Sequence, residues 1–235
     1  MKRSSILFAF LFTLGTAGVA LAHKPIFVQA MSNTGRAQAV VIPDPEVSWA
    51  IYAQLSQPGE VDYYTFVGKR GMRVDIGMSV PRIESARDFG FTVALVGKGL
   101  PNAPGLPFAL ESDEGVVVAP ESGQDNAHVF NEPFTQTAYW QRQTLRSELP
   151  ADGTYTITVY DPSGRSGKYV LAIGEREEFS AGDIANMPNV IRRVREFVNV
   201  PTQPTTTQAF PIELGLAAIG LALLGAIRFV IRRSK

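Results

Sequence analysis

Two histidines are the side chains of this chain best suited to bind a transition metal. His23 and His128 are the only histidines among 235 residues. Residues 1–22 are predicted to be an export signal, since a basic start precedes an apolar run that closes on a small-x-small pattern. Cleavage there would make His23 the first residue, and its α-amine and imidazole could chelate copper with His128 as the second imidazole. The alternative is an ordinary surface histidine at each position.

An acidic segment is a second candidate metal site. No Lys or Arg occurs between Lys98 and Arg142. Asp113, Glu114 and Asp125 could provide the several oxygen ligands that calcium needs. The other oxygen-bearing side chains of the segment include Glu111, Glu121, Asn126, Asn131 and Glu132. No EF-hand spacing or calcium-binding repeat is present, so the alternative is a solvated acidic loop.

The residue types in this chain give little support for a catalytic activity. The chain has no cysteine, which excludes a cysteine nucleophile, a thiolate metal site and disulfides. No G-x-S-x-G nucleophile elbow occurs, and nothing fixes two carboxylates at the separation that a glycosidase needs. Phe134, Tyr139 and Trp140 could stack on a sugar or a peptide, although such residues more often fill a core. A surface hydrolase therefore stays a second alternative.

The segment 210–231 is predicted to cross a membrane once as a helix. It is almost wholly apolar and matches the ~20 residues that span the hydrocarbon layer. The basic tail 232–235 indicates a cytoplasmic C-terminus, with the preceding domain outside the cytoplasmic membrane. This topology agrees with the predicted export of the domain. Residues 1–22 are predicted to be removed, the alternative being an uncleaved anchor helix.

Small residues within that span could let two such helices associate. Ala218, Ala222 and Ala226 fall at four-residue steps on one helix face, which permits close helix approach. The alternative is a lipid-facing span with incidental small residues.

The charge balance of the exported part excludes one class of partner. Six of the 22 basic residues and one of the 22 acidic residues lie in the two ends, which leaves residues 23–211 with 16 basic against 21 acidic side chains. A nucleic-acid-binding face needs clustered Lys and Arg. We therefore expect no nucleic-acid partner.

Short alternating segments predict a mainly β fold for residues 23–180. The predicted strands cover 38–42, 49–55, 61–67, 72–80 and 91–96, followed by two strands within 153–173. Tyr155, Ile157 and Val159 alternate with hydroxyl-bearing residues, and the polar turn at 161–164 is predicted to join the last two strands as a hairpin. Residues 98–141 are rich in proline and are predicted to be mostly loop. This pattern predicts an antiparallel β-sandwich or jelly roll.

Parts of this β region resemble a known family. The matching segments are PGEVDYYTF at 58–66 with Gly71, LPADGTYTITVY at 149–160, and GKYVL at 167–171. They resemble the bacterial pre-peptidase C-terminal domain, a jelly-roll module of secreted and surface proteins. The resemblance covers a little over half of the chain and implies a non-catalytic adhesion or targeting role, with calcium bound in some members. It carries no active site and no ligand set to this sequence.

The period of the apolar residues changes after residue 180. Ile191, Val194, Phe197 and Val198 recur at three- and four-residue steps, which predicts an amphipathic helix over 183–198 with Pro188 in its first turn. The helix either packs on the sandwich or lies as a basic helix near the membrane surface. Residues 199–209 are rich in Pro and Thr and predict an extended tether.

Together these patterns predict a membrane-anchored, extracytoplasmic binding or scaffolding module without catalytic activity. Its partner would be an extracytoplasmic protein or a glycan. The first alternative is a copper-binding protein that uses the processed N-terminal histidine.

Overall fold

Two β-sheets and one helix make up the part of the chain that the structure describes, residues 23–121 and 128–200 of a computed structural model. The strands are β1 (Lys24–Phe27), β2 (Val40–Val41), β3 (Trp49–Leu55), β4 (Val61–Gly68), β5 (Arg73–Pro81), β6 (Thr92–Lys98), β7 (Glu114–Ala119), β8 (His128–Glu132), β9 (Thr137–Glu148), β10 (Gly153–Tyr160) and β11 (Gly167–Ile173); the helix is α1 (Ala181–Val198). The predicted signal, the predicted membrane span and most of the predicted tether lie outside these residues.

The strands form two sheets that pack against each other. The six-stranded sheet has the order β1-β3-β11-β5-β9-β8, and the five-stranded sheet has the order β2-β4-β10-β6-β7. Most neighbours are antiparallel, but β1 pairs with β3 and β2 pairs with β4 in parallel. The mainly β prediction is therefore confirmed, while a purely antiparallel arrangement is wrong at these two sheet edges.

The core lies between the two sheets and takes alternate residues from each strand. Tyr155, Ile157 and Val159 of β10 are fully buried there, as their alternation predicts. They face Tyr169 and Leu171 of β11, which are equally buried in the opposite sheet. Each such aliphatic side chain contributes about 1.5–3 kcal/mol by leaving water, so this interior is the main source of stability in a chain without disulfides.

The hairpin predicted between residues 153 and 173 is wrong. β10 pairs with β4 and β6, whereas β11 pairs with β3 and β5 in the other sheet. The turn at 161–166 therefore carries the chain across the sandwich. The physical reason is that an apolar side can face the core from either sheet, so the alternation of the two strands fits a crossing as well as a hairpin.

The prediction that residues 98–141 are mostly loop holds only in part. The described residues of this segment include β7, β8 and the start of β9. The alternation in β9 is interrupted because the pairing with β5 shifts register between Gly77 and Ser79, a bulge that changes which face later residues occupy. The sequence did not predict β8, because its residues are mostly exposed and do not form an apolar face.

Helix α1 packs on the outer face of the six-stranded sheet. Val194 and Val198 are buried against Tyr52 and Tyr139, which confirms the packed-helix prediction. A capping box at Ser180 starts the helix two turns before Pro188, so the placement of that proline in the first turn is wrong.

The arginines of α1 contact the protein itself. Arg192 pairs with Glu196, the Arg193 guanidinium lies over the Phe27 ring, and Arg195 donates to the backbone oxygen of Thr135. Among residues 23–121 and 128–200, no helix is long and apolar enough to span a membrane.

A buried polar chain links the two sheets. The Tyr169 hydroxyl on β11 donates to the Asp62 carboxylate on β4 and is hydrogen-bonded to the Tyr64 hydroxyl at 2.6 Å. Glu60 contacts Asp62, and both carboxyl groups are almost completely buried. The pKa of Asp62 is raised to about 7. Burial is the main cause, the hydrogen bond from Tyr169 acts against it, and Glu60 adds to the rise. Asp62 is therefore partly protonated near neutral pH.

Asp62→Asn should change the pH dependence of stability. A carboxyl group whose pKa is raised by folding favours the folded state at low pH, and this contribution is lost as pH rises from about 4 towards about 7. The free energy of unfolding of the variant, relative to wild type, should therefore increase over this range by up to about 4 kcal/mol, because about 3 pKa units correspond to that energy. Urea unfolding of residues 23–200 at several pH values measures it. Asp113→Asn, at a carboxylate that is 60% exposed, is the control; a pH-independent difference for Asp62→Asn would contradict the raised pKa of Asp62.

Candidate functional site

A pocket of about 310 Å³ lies between the start of β1 and β3 and the N-terminal half of α1. We call it the N-terminal pocket. Its apolar lining is Pro25, Trp49, Phe179, Met187 and Val190, and its polar lining is His23, Lys24, Asp183 and Asn186. A concave, mainly apolar surface with a few polar groups is the usual form of a ligand site.

The polar lining of the N-terminal pocket is held in place by neighbouring groups. Lys24 forms an ion pair with Asp183 at 3.2 Å and lies 5.3 Å from the centre of the Trp49 ring. Asp183 also completes the capping box with Ser180, whose backbone N–H is the main cause of its lowered pKa. The Trp49 indole N–H donates to the backbone oxygen of Asp44 at 2.8 Å, which fixes the ring. The pocket is therefore lined by oriented side chains.

His23 lies at the edge of this pocket, with its Nδ1 hydrogen-bonded to the Ser48 hydroxyl. Burial lowers the pKa of the imidazole, and the carboxylates of Glu177 and Glu132 act against this shift without reversing it. The ring is therefore neutral near pH 7, the form that binds metals. Both carboxylate oxygens of Glu177 are buried and receive no hydrogen bond from the described residues.

The structure does not bring His128 to His23. His128 begins β8 at one edge of the six-stranded sheet, whereas His23 precedes β1 at the other edge. Four strands lie between them, and His128 is exposed. The strand order therefore gives no support to the predicted pairing of the two imidazoles. Within the part of the chain that the structure covers, no three His, Asp or Glu side chains converge as a metal site.

Two of the predicted calcium ligands, Glu114 and Asp113, lie beside basic side chains. Arg36 donates two hydrogen bonds to Glu114, each 2.8 Å long. Burial acts to raise the pKa of Glu114, but the hydrogen bonds from Arg36 and from the Glu111 backbone N–H outweigh it and lower the pKa. Asp113 lies 3.6 Å from Lys98 and is exposed. Asp125 lies outside the described residues. Glu114 is therefore neutralised by an arginine.

The other candidate side chains are packed in the interior or against it. Tyr139 is buried under α1, and Trp140 packs against the core with Arg142 over its ring. The most perturbed carboxyl group, Asp62, is only 1% exposed. A strongly shifted pKa often marks an active site, but a substrate cannot reach Asp62 through the closed core.

Apart from His23, the residues that form the N-terminal pocket were missed in the sequence. They come from four separate segments around His23, Trp49, Phe179 and Met187. Trp49 reads as the first residue of a strand and Met187 as part of a helix. The available signal was the capping pattern Ser180 to Asp183, which places the start of α1 and hence the wall of the pocket.

The fold and the pocket define a two-sheet β-sandwich with a helix packed on one sheet. No protein-family model matches the chain, and no curated protein matches it. Its fold is similar to PliG of Aeromonas hydrophila, a periplasmic inhibitor of g-type lysozyme, at 16% identity and a TM-score of 0.31 over 64% of this chain and 95% of that chain. It is also similar to the pre-peptidase C-terminal domain of a Bacillus anthracis collagenase, at 15% identity and a TM-score of 0.31 over 57% and 91%. Membership of the pre-peptidase family stays a prediction.

Arg36→Ala should destabilise the domain, and calcium should leave its stability unchanged. The substitution leaves the Glu114 carboxylate, whose side chain is 12% exposed, without its partner. We expect a loss of about 1 kcal/mol in the free energy of unfolding. Arg73→Ala is the matched control, because Arg73 is 85% exposed and lies 3.7 Å from Glu148; it should change stability by less than about 0.5 kcal/mol. A calcium-dependent rise in the midpoint temperature of the wild-type chain would instead support an acidic-loop site.

Proposed function

We propose that this chain is a membrane-anchored, extracytoplasmic binding module without catalytic activity, and that it binds its partner through the N-terminal pocket. The observation that carries the proposal is the pocket itself, where Trp49, Phe179 and Met187 lie beside the ion pair of Lys24 and Asp183. Aromatic and aliphatic groups provide binding area, and the charged and amide groups orient a ligand.

The volume of the pocket limits the partner. About 310 Å³ lies at the small end of the range for ligand pockets, about 300–1,000 Å³. A short segment of an extracytoplasmic protein or a glycan therefore fits better than a whole folded surface. Apolar and paired charged groups side by side favour a ligand with both an apolar and a polar part.

The cellular location rests on the two ends of the sequence. The apolar segment 210–231 followed by basic residues supports a single membrane span with a cytoplasmic tail. Residues 1–22 support export of the domain. The exported domain would therefore work on the outer side of the cytoplasmic membrane, and the tether at 199–209 would set its reach.

A photoreactive phenylalanine analogue at position 187 tests the pocket. In cells that make the full chain, it should form a crosslinked adduct of defined mass, because Met187 lines the pocket. Trp49→Ala should lower the yield of this adduct severalfold. The control position is Val67, which is 72% exposed on the five-stranded sheet and should give no such adduct. Equal labelling from both positions, or an adduct indifferent to Trp49→Ala, would contradict binding in the pocket.

Truncation after Val200 tests the anchor independently. The full chain should sediment with membranes and resist alkaline extraction, whereas the truncated chain should appear in the soluble extracytoplasmic fraction. Recovery of both forms in the same fraction would contradict the anchor and leave the pocket experiment unaffected.

A copper site at the processed N-terminus is a second candidate, in a form that does not use His128. The observation that favours it is the Glu177 carboxylate, which acts on His23 and whose two oxygens receive no hydrogen bond from the described residues. The α-amine and imidazole of His23 and this carboxylate would be the ligands. Breaking the hydrogen bond to Ser48 would free Nδ1.

Calorimetry with Cu²⁺ on the processed chain tests this candidate. Glu177→Gln should weaken copper binding at least about tenfold, which is the scale of losing one charged ligand. His128→Ala should leave the affinity unchanged, since His128 lies at the other edge of the sheet. Equal affinities of the wild type and Glu177→Gln would exclude the site.

A further inference from the structure

Strand β8 is an edge strand with apolar side chains in solvent. It is the outermost strand of the six-stranded sheet and, among the described residues, pairs with β9 alone. Val129 and Phe130 are 44% and 39% exposed. Edge strands usually carry lysine, proline or a bulge that prevents pairing with another chain. β8 has none of these between His128 and Glu132.

The sequence of β8 is complementary to itself when it is reversed. It reads His128, Val129, Phe130, Asn131, Glu132. An antiparallel pair of two copies centred on Phe130 places each His128 opposite the Glu132 of the other copy. The two Phe130 rings meet on the two-fold axis, and each Val129 lies opposite an Asn131. Aromatic pairs and pairs of acidic and basic side chains at directly opposite positions both stabilise antiparallel strands.

We propose that β8 is a homodimer contact, in which two copies of this chain pair antiparallel about Phe130 and join their six-stranded sheets edge to edge. His128, Phe130 and Glu132 alternate along the strand and therefore share one face of the sheet. Phe130 is in register with Tyr139 of β9, which is buried under α1 on the same face. The Phe130 pair would extend this covered apolar surface across the two-fold axis.

The position of Glu132 is compatible with this contact. Its carboxylate accepts hydrogen bonds from the backbone N–H groups of Phe134 and Thr135, which hold it at the end of β8. Oε2 also accepts from the Thr135 hydroxyl, whereas Oε1 accepts only from Phe134 and keeps a lone pair for the His128 of the other copy. The turn after β8 thus fixes the acidic partner of the contact in place.

The contact should be weak in dilute solution. A five-residue strand pair buries less surface than the roughly 1,200–2,000 Å² of a stable protein complex. Two copies held in one membrane have a much higher effective concentration, which favours a second contact that is weak by itself. The experiment therefore uses the full-length chain in its own membrane.

Cysteine crosslinking gives a direct test, because the chain has no cysteine of its own. Phe130→Cys in the full chain should form a disulfide-linked dimer under mild oxidation, since only residues on the two-fold axis approach within the ~4.4–6.8 Å Cα separation of a disulfide. Val129→Cys is the register control; it lies opposite Asn131 and should crosslink far less. Val67→Cys, on the other sheet, should not crosslink.

A charge variant tests the predicted pairing separately. His128→Glu in the Phe130→Cys background places two acidic side chains opposite each other and should lower the crosslink yield by roughly two- to fivefold. Both substitutions are at exposed positions, and an unchanged thermal midpoint would show that the domain still folds. Absence of a Phe130→Cys dimer, equal crosslinking from Val129→Cys or Val67→Cys, or an adduct to a different protein would each overturn the proposal.

Discussion

The buried hydrogen-bond chain of Tyr64, Tyr169 and Asp62 is the interaction on which the arrangement of the two sheets depends. Apolar packing is not directional and tolerates small shifts of one sheet over the other. The polar chain joins β4 to β11 through hydroxyl groups that would be costly to leave unpaired in the core. The two tyrosine hydroxyls find these partners where β4 and β11 face each other as they do here. The link therefore selects one packing from many that would bury similar area.

The crossing from β10 to β11 has its own polar support. Asp161, at the end of β10, accepts from the backbone N–H of Ser163 and from Arg165. Arg165 also pairs with Glu121 at 2.6 Å and donates to the backbone oxygen of Gly90. The turn that carries the chain between sheets is thus fastened to two neighbouring loops. This is why residues with ordinary hairpin-turn types connect strands that do not pair.

The sequence predicts single strands well and their neighbours poorly. The strand from Trp49 to Leu55 is found with the predicted bounds, because alternation and flanking turn residues are local properties. Pairing is a global property, so the identity of Ser163 and Gly164 could not show whether the chain turns back or crosses. The two faces of β9 could not be predicted either, because the bulge opposite Gly77 shifts the register and exchanges the faces of this strand.

For the candidate site, the sequence singled out one of the lining residues. His23 was singled out by its place after a cleavage pattern, and it lines the N-terminal pocket. Trp49, Phe179 and Met187 join it only through the fold. His128 was paired with His23 by chemistry alone, without a strand order to show that they occupy opposite edges of one sheet.

The packing of the domain leaves the edges of the six-stranded sheet as places for recognition. Residues such as Leu106 and Phe108 cover much of the outer face of the five-stranded sheet, and α1 packs on the outer face of the six-stranded sheet. The core between them is closed. At the β1 edge, the chain start and α1 enclose a pocket with oriented polar groups. At the β8 edge, backbone groups and two apolar side chains face solvent. Because these edges lie at opposite ends of the strand order, a small ligand at one and a second copy at the other would contact different strands, although the Glu132 carboxylate acts electrostatically on His23.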